Sequence, residues 1–328
     1  MKRLDLCAMG NGVVDILIEV SDAELADLGW AKGSWGVINQ DEVEAVTKKF
    51  ADRDQVLVSG GSVANSLLIF AQLGGKGVFL ASLGDDKLGK HFANDFKSYG
   101  VVLGADVTSP LSTGCCISLI SPDAERTMRI CLGAAEEFNV THIKEECIAA
   151  SEWLFIEGYL FSGGEVAVAA IEKALDIAKK NGTKVAVTTS AVPIVENHHA
   201  ALGEVLTRSE LVFANEAEAQ AYAGVDSVQQ AVDFMADIVP NTVVTVGAEG
   251  AYICCDGAQL LIPAFPCTPV DLTGAGDAFA GSYLYGVSHG YTPKESGMRA
   301  ARMSKEIIMH KGARYLGDSE DLKRIFKQ

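Results

Sequence analysis

With 328 residues, 48% of them hydrophobic and 21% charged, the chain is sized for one large α/β domain with room for a small appendage, and its balance excludes a disordered polymer. A formal net charge of −16 repels phosphate backbones and anionic bilayers, so neither nucleic acid nor a membrane surface is an expected partner. An anionic ligand would need local help from Mg²⁺, backbone N–H groups or a few basic side chains.

Taken in chain order, the opening MKRLDLCAMGNG is interrupted by Asp5 and glycines, which argues against a signal peptide. No apolar run approaches the ~20 residues that span a bilayer. Strands are predicted at 4–9, 56–58, 77–81, 153–157, 184–188, 211–214 and 242–246. Helices are predicted between them at 62–73, 87–99, 165–181, 216–223 and 228–238. That order predicts a mainly parallel central sheet covered by helices on both faces, with binding loops at the carboxyl ends of its strands. Two stretches break the rhythm. Residues 16–20 and 35–39 read as short strands, and 115–120 with 126–132 as a hairpin around Ser121-Pro122-Asp123. They predict a small β lid from 13–44 and 113–132, over a core of 1–12, 45–112 and 133–328. A sheet extension or a dimer contact is the competing expectation.

The eight cysteines show no C-x-x-C spacing and read as small apolar residues in a reducing cytoplasm. No H-E-x-x-H occurs among the six histidines, so protein-ligated zinc is not indicated. Two phosphate motifs fail. Gly10-Asn11-Gly12 lacks the third glycine of G-x-G-x-x-G, since Asp15 stands there. Residues 84–90 fit G-x-x-x-x-G-K, but His91 replaces the Ser or Thr that a P-loop gives Mg²⁺.

The strongest signal is Asp271-Leu272-Thr273-Gly274-Ala275-Gly276-Asp277, running into an apolar-faced helix. Gly274, Ala275 and Gly276 at a helix start leave amides free to cradle an anion, and the helix dipole favours one there. Asp277, one residue on, is placed to accept the proton of an attacking hydroxyl. A first-turn carboxylate that merely stabilises its own helix would read the same way.

This motif, together with Gly60-Gly61-Ser62-Val63-Ala64-Asn65, resembles the two signatures of the PfkB family, the ribokinase-like sugar and nucleoside kinases. Gly84-Asp85-Asp86-x-x-Gly89, Asn215-Glu216-Ala217-Glu218 and residues 245–250 match three further family patterns in order. The resemblance implies the ribokinase-like fold, with Asp277 as catalytic base and Gly274–Gly276 as anion hole. It implies ATP at Asn215, Thr245, Gly247, Gly250, Gly274 and Gly276, and Mg²⁺ organised through water by Glu218. K⁺ near Asp271 is also admitted. Asn215 and Glu218 equally fit a capping box. Asn11, Asp15, Gly60, Gly61 and Asn65 resemble the sugar-hydroxyl site.

Gly10-Asn11-x-x-x-Asp15, the 125–128 hairpin, residues 189–193 and Tyr159 are similar to the adenosine kinase branch. There Tyr159 would stack on the base. Arg126 would meet phosphate on closure or stay a solvated hairpin arginine, and Trp35 would line the base pocket or belong to the lid core. Thr188-Thr189 departs from that branch, and sugar kinases share the hairpin arginine. Three expectations stand: a nucleoside kinase, a sugar or sugar-acid kinase, or a silent binding protein, as a monomer or a lid-mediated homodimer.

Overall fold

A computed structural model describes residues 3–104, 107–123 and 125–328. At its centre is a nine-stranded sheet. In spatial order the strands are Ala258–Ile262, Ala251–Cys255, Asn241–Thr245, Leu211–Asn215, Lys184–Thr188, Ser151–Glu157, Leu4–Met9, Gly77–Leu80 and Val102–Leu103. Only the pairings made by Ala251–Cys255 are antiparallel.

Successive strand residues point to opposite faces. Leu6, Ala8, Phe79 and Phe155 therefore join one core, against the helices Ser62–Gln72 and Ala275–Ser288. Cys7, Met9, Leu80 and Ile156 join the other, against Gly164–Asn181. With both faces covered, the strands read as uninterrupted apolar runs. The winding direction reverses between Leu4–Met9 and Ser151–Glu157, and a crevice opens at such a switch point, outside the carboxyl ends.

A second sheet of five strands forms the lid, in the order Trp35–Val37, Arg126–Cys131, Gly114–Ile120, Val13–Glu19 and Val56–Gly60. Ile16, Ile18, Ile117 and Leu119 pack on one side with Val43, Val46 and Phe50 of the helix Gln40–Lys49 and its end. Asp15, paired with Cys116, is on the other side with Met128, Ile130, Trp35 and Val37; the last two are 62% and 66% exposed.

The strand expected at 56–58 in the central sheet instead pairs antiparallel with Val13–Glu19 in the lid. Its exposed Val56 and half-buried Leu57 and Val58 suit a sheet with one open face rather than a doubly covered one. The segment from 45 to 60 thus packs with the lid, beyond the expected boundary at 44. The hairpin Ala251–Cys255 and Ala258–Ile262 was not foreseen, nor were the helices Pro293–Ile308 and Ser319–Lys327.

The false P-loop has a structural use. Asp86 caps the helix Lys87–Ser98 through the Gly89 amide (2.7 Å) and also accepts the amide (2.7 Å) and hydroxyl (2.8 Å) of Thr113. Thr113 immediately precedes a lid strand, so this carboxylate fastens core to lid. On the other flank, buried Arg314 pairs with Asp95 and donates to the Ser59 carbonyl at 3.2 Å.

Candidate active site

The helix Ala275–Ser288 begins at Gly274, whose φ is +81°. A Cβ there would lie 2.5 Å from Ala313 Cα, so only glycine makes this turn. The amides of Gly276 and Asp277 have no protein acceptor among the described residues, and open space surrounds the position of a Gly276 side chain. The amide of Ala275 already reaches the Leu272 carbonyl at 3.3 Å, so it is the least free of the expected cradle. Unengaged amides at a helix N-terminus favour an anion.

Asp277 faces the Gly60–Asn65 turn. Its Oδ1 accepts the Ser62 hydroxyl at 2.7 Å and its Oδ2 the Asn65 amide at 2.9 Å. Burial pushes its pKa up to about 6; the two hydrogen bonds oppose this, and the charge on Glu218 adds to it. The Oδ1 of Asn65 is buried with no partner, which suits a ligand hydroxyl as donor.

Asp15, on the lid, lies close enough to feel the charge of Asp277. Burial raises it to about 6 against the lowering effects of Arg126, the Cys116 thiol and Arg314, and Asp277 raises it further. Gly60 passes close by, with 3.0 Å between its would-be Cβ and Asp15 Oδ2. At Gly61, φ is +111° and a side chain would strike the Asn11 carbonyl oxygen at 2.3 Å. Buried Asn11 donates its own amide to Glu157 Oε1 at 3.4 Å.

The residues expected on the nucleotide side are placed by strand register. Glu157 pairs with Thr188 and Asn215 with Thr245, so neighbouring strands end in a row. They border a cleft of about 170 Å³ lined by Ser62, Asn215, Glu218, Thr245, Gly276 and Asp277 among others. Gly247 and Gly250 form the turn after Thr245, closed by the Val246 amide on the Gly250 carbonyl at 2.8 Å.

The capping box is present: Asn215 Oδ1 accepts the Glu218 amide at 2.9 Å, and Glu218 Oε2 accepts the Asn215 amide at 3.0 Å. Thr189 donates to Glu218 Oε2 at 2.5 Å, and burial raises the Glu218 pKa. Among the described residues no group of three or more His, Cys, Asp or Glu forms a metal cage. With Glu218 and Asp277 both lining the cleft but no cage formed, the donor set fits a Mg²⁺ that arrives on a phosphate ligand and is held through water.

Arg126 approaches Asp271 Oδ2 at 2.9 Å, an ion pair joining the lid to the start of the cradle motif. That oxygen also accepts the Gly312 amide at 2.8 Å, while Oδ1 accepts the amide (3.0 Å) and hydroxyl (2.7 Å) of Thr273. Burial would raise Asp271, but these contacts outweigh it and its pKa is lowered. Three hydrogen bonds and the ion pair thus engage both oxygens of Asp271. Arg126 is also not the solvated hairpin arginine of the bland expectation.

Tyr159 is 39% exposed and stacks on no ring among the described residues. Burial of its hydroxyl, with Glu157, Glu218 and Asp277 near, pushes it up to about 12.

Three residues here escaped the sequence. Glu157, 1% exposed, accepts the Val63 amide at 3.0 Å, and burial lifts its pKa to about 8. An acidic residue closing an apolar strand was its only signal. Ser62 looked like part of a turn. Ser190, at the cleft wall with φ +70°, lay inside the 189–193 match but was not singled out as a site residue.

The family model for pfkB family carbohydrate kinases matches residues 35–320. A probable sugar kinase from Rhizobium etli has 26% identity and a TM-score of 0.88, covering 99% of this chain and 98% of its own. The adenosine kinase of Sinorhizobium meliloti has 28% identity and a TM-score of 0.87, covering 98% and 99%. The ribokinase of Haemophilus influenzae is 27% identical over 76% of this chain and 82% of its own. Kinases of this family use ATP and Mg²⁺. An exposed amide cradle beside a buried carboxylate suits that chemistry, and the chain belongs to the PfkB carbohydrate kinase family, phosphotransferases with an alcohol group as acceptor.

Proposed function

We propose that the protein phosphorylates the ribose 5′-hydroxyl of a nucleoside, adenosine above all, at the expense of ATP. The observation that carries the kinase mechanism is Asp277 held beside the unengaged amides of Gly276 and itself. The acceptor hydroxyl gives its proton to Asp277 as its oxygen attacks the γ-phosphorus. The new P–O bond forms as the bond to ADP breaks. Charge on the transferring oxygens is taken up by the amides and by Arg126, whose guanidinium pairs with Asp271 at the start of the cradle motif. Asn215 and Glu218 would hold Mg²⁺ through water, and the ion would supply further neutralisation of phosphate charge.

Asp15, Asn65 and the close backbone of Gly60-Gly61 suit vicinal hydroxyls, which both a ribose and a free sugar present. Two features favour a base. Tyr159 offers an unstacked ring, and the lid sheet turns Trp35, Val37, Met128 and Ile130 to the face that carries Asp15. Retention of the base and both cradle glycines speaks against a silent binding protein.

A substrate panel reading ADP release tests the proposal. Turnover with adenosine well above that with ribose, fructose or 2-keto-3-deoxygluconate is expected. Turnover with one of those sugars and no nucleoside would transfer the assignment to a sugar kinase.

A further inference from the structure

Ser62 has no role in the mechanism so far. It opens the helix Ser62–Gln72, and Asn65 follows about one turn later on the same side. Each donates to a different oxygen of Asp277, at 2.7 and 2.9 Å, from more than 200 residues away in the chain. The two helices come close enough because Gly281 passes the Ser66 backbone, where a Cβ would lie 2.2 Å from the carbonyl oxygen. A short serine side chain can then bridge the gap.

We infer that Ser62 is a positioning residue for the base: its hydroxyl fixes the rotation of the Asp277 carboxylate and favours its proton-accepting form. The charged and titratable groups around that carboxylate are Glu218 on the nucleotide side, Asp15 on the lid, Glu157 at the adjoining strand end and Tyr159. All of these are acids and none favours a negative charge there, while the cation Arg126 is paired with Asp271. Among the described residues, the side-chain donors to the carboxylate are Ser62 and Asn65. Asn65 has an unpartnered oxygen turned to ligand duty, whereas Ser62 is free to serve the base alone. A donor to the anionic form keeps it ionised to lower pH, so Ser62 extends the acid side of the working range.

The inference rests on Asp277 being the base, and the experiment separates the two. pH profiles of kcat/KM are recorded for the parent, Ser62→Ala, Ser62→Thr and Asp277→Asn with saturating MgATP. Loss of one donor to a charged group should move the acid limb of Ser62→Ala up by about one pH unit. The deficit is then about fivefold at pH 6, approaches tenfold below pH 5 and fades by pH 9, with KM for the acceptor unchanged and the limb restored in Ser62→Thr. If Ser62→Ala fails to fold, Ser62→Cys, with a weaker donor, should move the limb the same way. An unmoved limb, or a pH-independent loss with a raised KM, overturns the inference. Parent-level turnover by Asp277→Asn overturns the base assignment itself.

Discussion

Asp277→Asn separates two properties that the structure ties to one carboxylate. Its buried setting lifts its pKa from 3.8 to about 6. A raised carboxyl pKa means that the folded state holds the proton more tightly than the unfolded chain. The group's contribution to stability is therefore full below the unfolded pKa and is lost as pH rises through about 6. Two pKa units correspond to roughly 3 kcal/mol, an upper figure for what ionisation costs the native state at pH 7.5. An amide avoids that cost and can keep its partners, because the Ser62 hydroxyl can turn from donor to acceptor while Asn65 still donates to the amide oxygen.

The variant should match the parent in stability near pH 4 and exceed it at pH 7.5 by up to about 3 kcal/mol, with a Tm several degrees higher. Its turnover should fall by about 10²–10⁴-fold while ATP binding, read by calorimetry, is retained. Denaturation at the two pH values gives the first readout and ADP release the second. Turnover within tenfold of the parent would show that the proton goes elsewhere. A lost activity without the pH-dependent gain in stability would show that the carboxylate is not desolvated as described.

Other outcomes follow from the same geometry. Gly276→Ala meets nothing within 4 Å and should fold as stably as the parent, yet its methyl group intrudes on the cradle; a drop in ADP release of about 100-fold is expected. Gly274→Ala, by contrast, adds a Cβ 2.5 Å from Ala313 Cα at a φ of +81°, and a Tm well below that of Gly276→Ala should reveal it. Glu157→Gln removes an acid whose pKa is raised to about 8, so parent stability should decline from pH 5 to pH 9 more steeply than the variant's in parallel thermal melts. Arg126→Met keeps a stem but breaks the pair with Asp271, and kcat should fall by about 10²-fold with fluorescence-detected ATP binding little changed.

Local chemistry carried much of this protein in plain view. The Gly274–Asp277 cradle is built from neighbours in sequence, so its turn, its free amides and its carboxylate could be read from one short string. The helices Glu216–Ala223 and Val228–Ile238 were equally legible, since caps and periodicity fix their ends. Partners distant in the chain were not. Whether Val56–Gly60 joins the central sheet or the lid depends on which strand pairs with it, and a short apolar run does not encode its partner. The grip of Ser62 on Asp277, the burial of Glu157 and the closure of Arg126 on Asp271 each need two remote segments brought within hydrogen-bond reach. Motif and resemblance named the candidate groups; only packing decided their protonation, because a pKa is set by the water excluded and the charges gathered around a side chain.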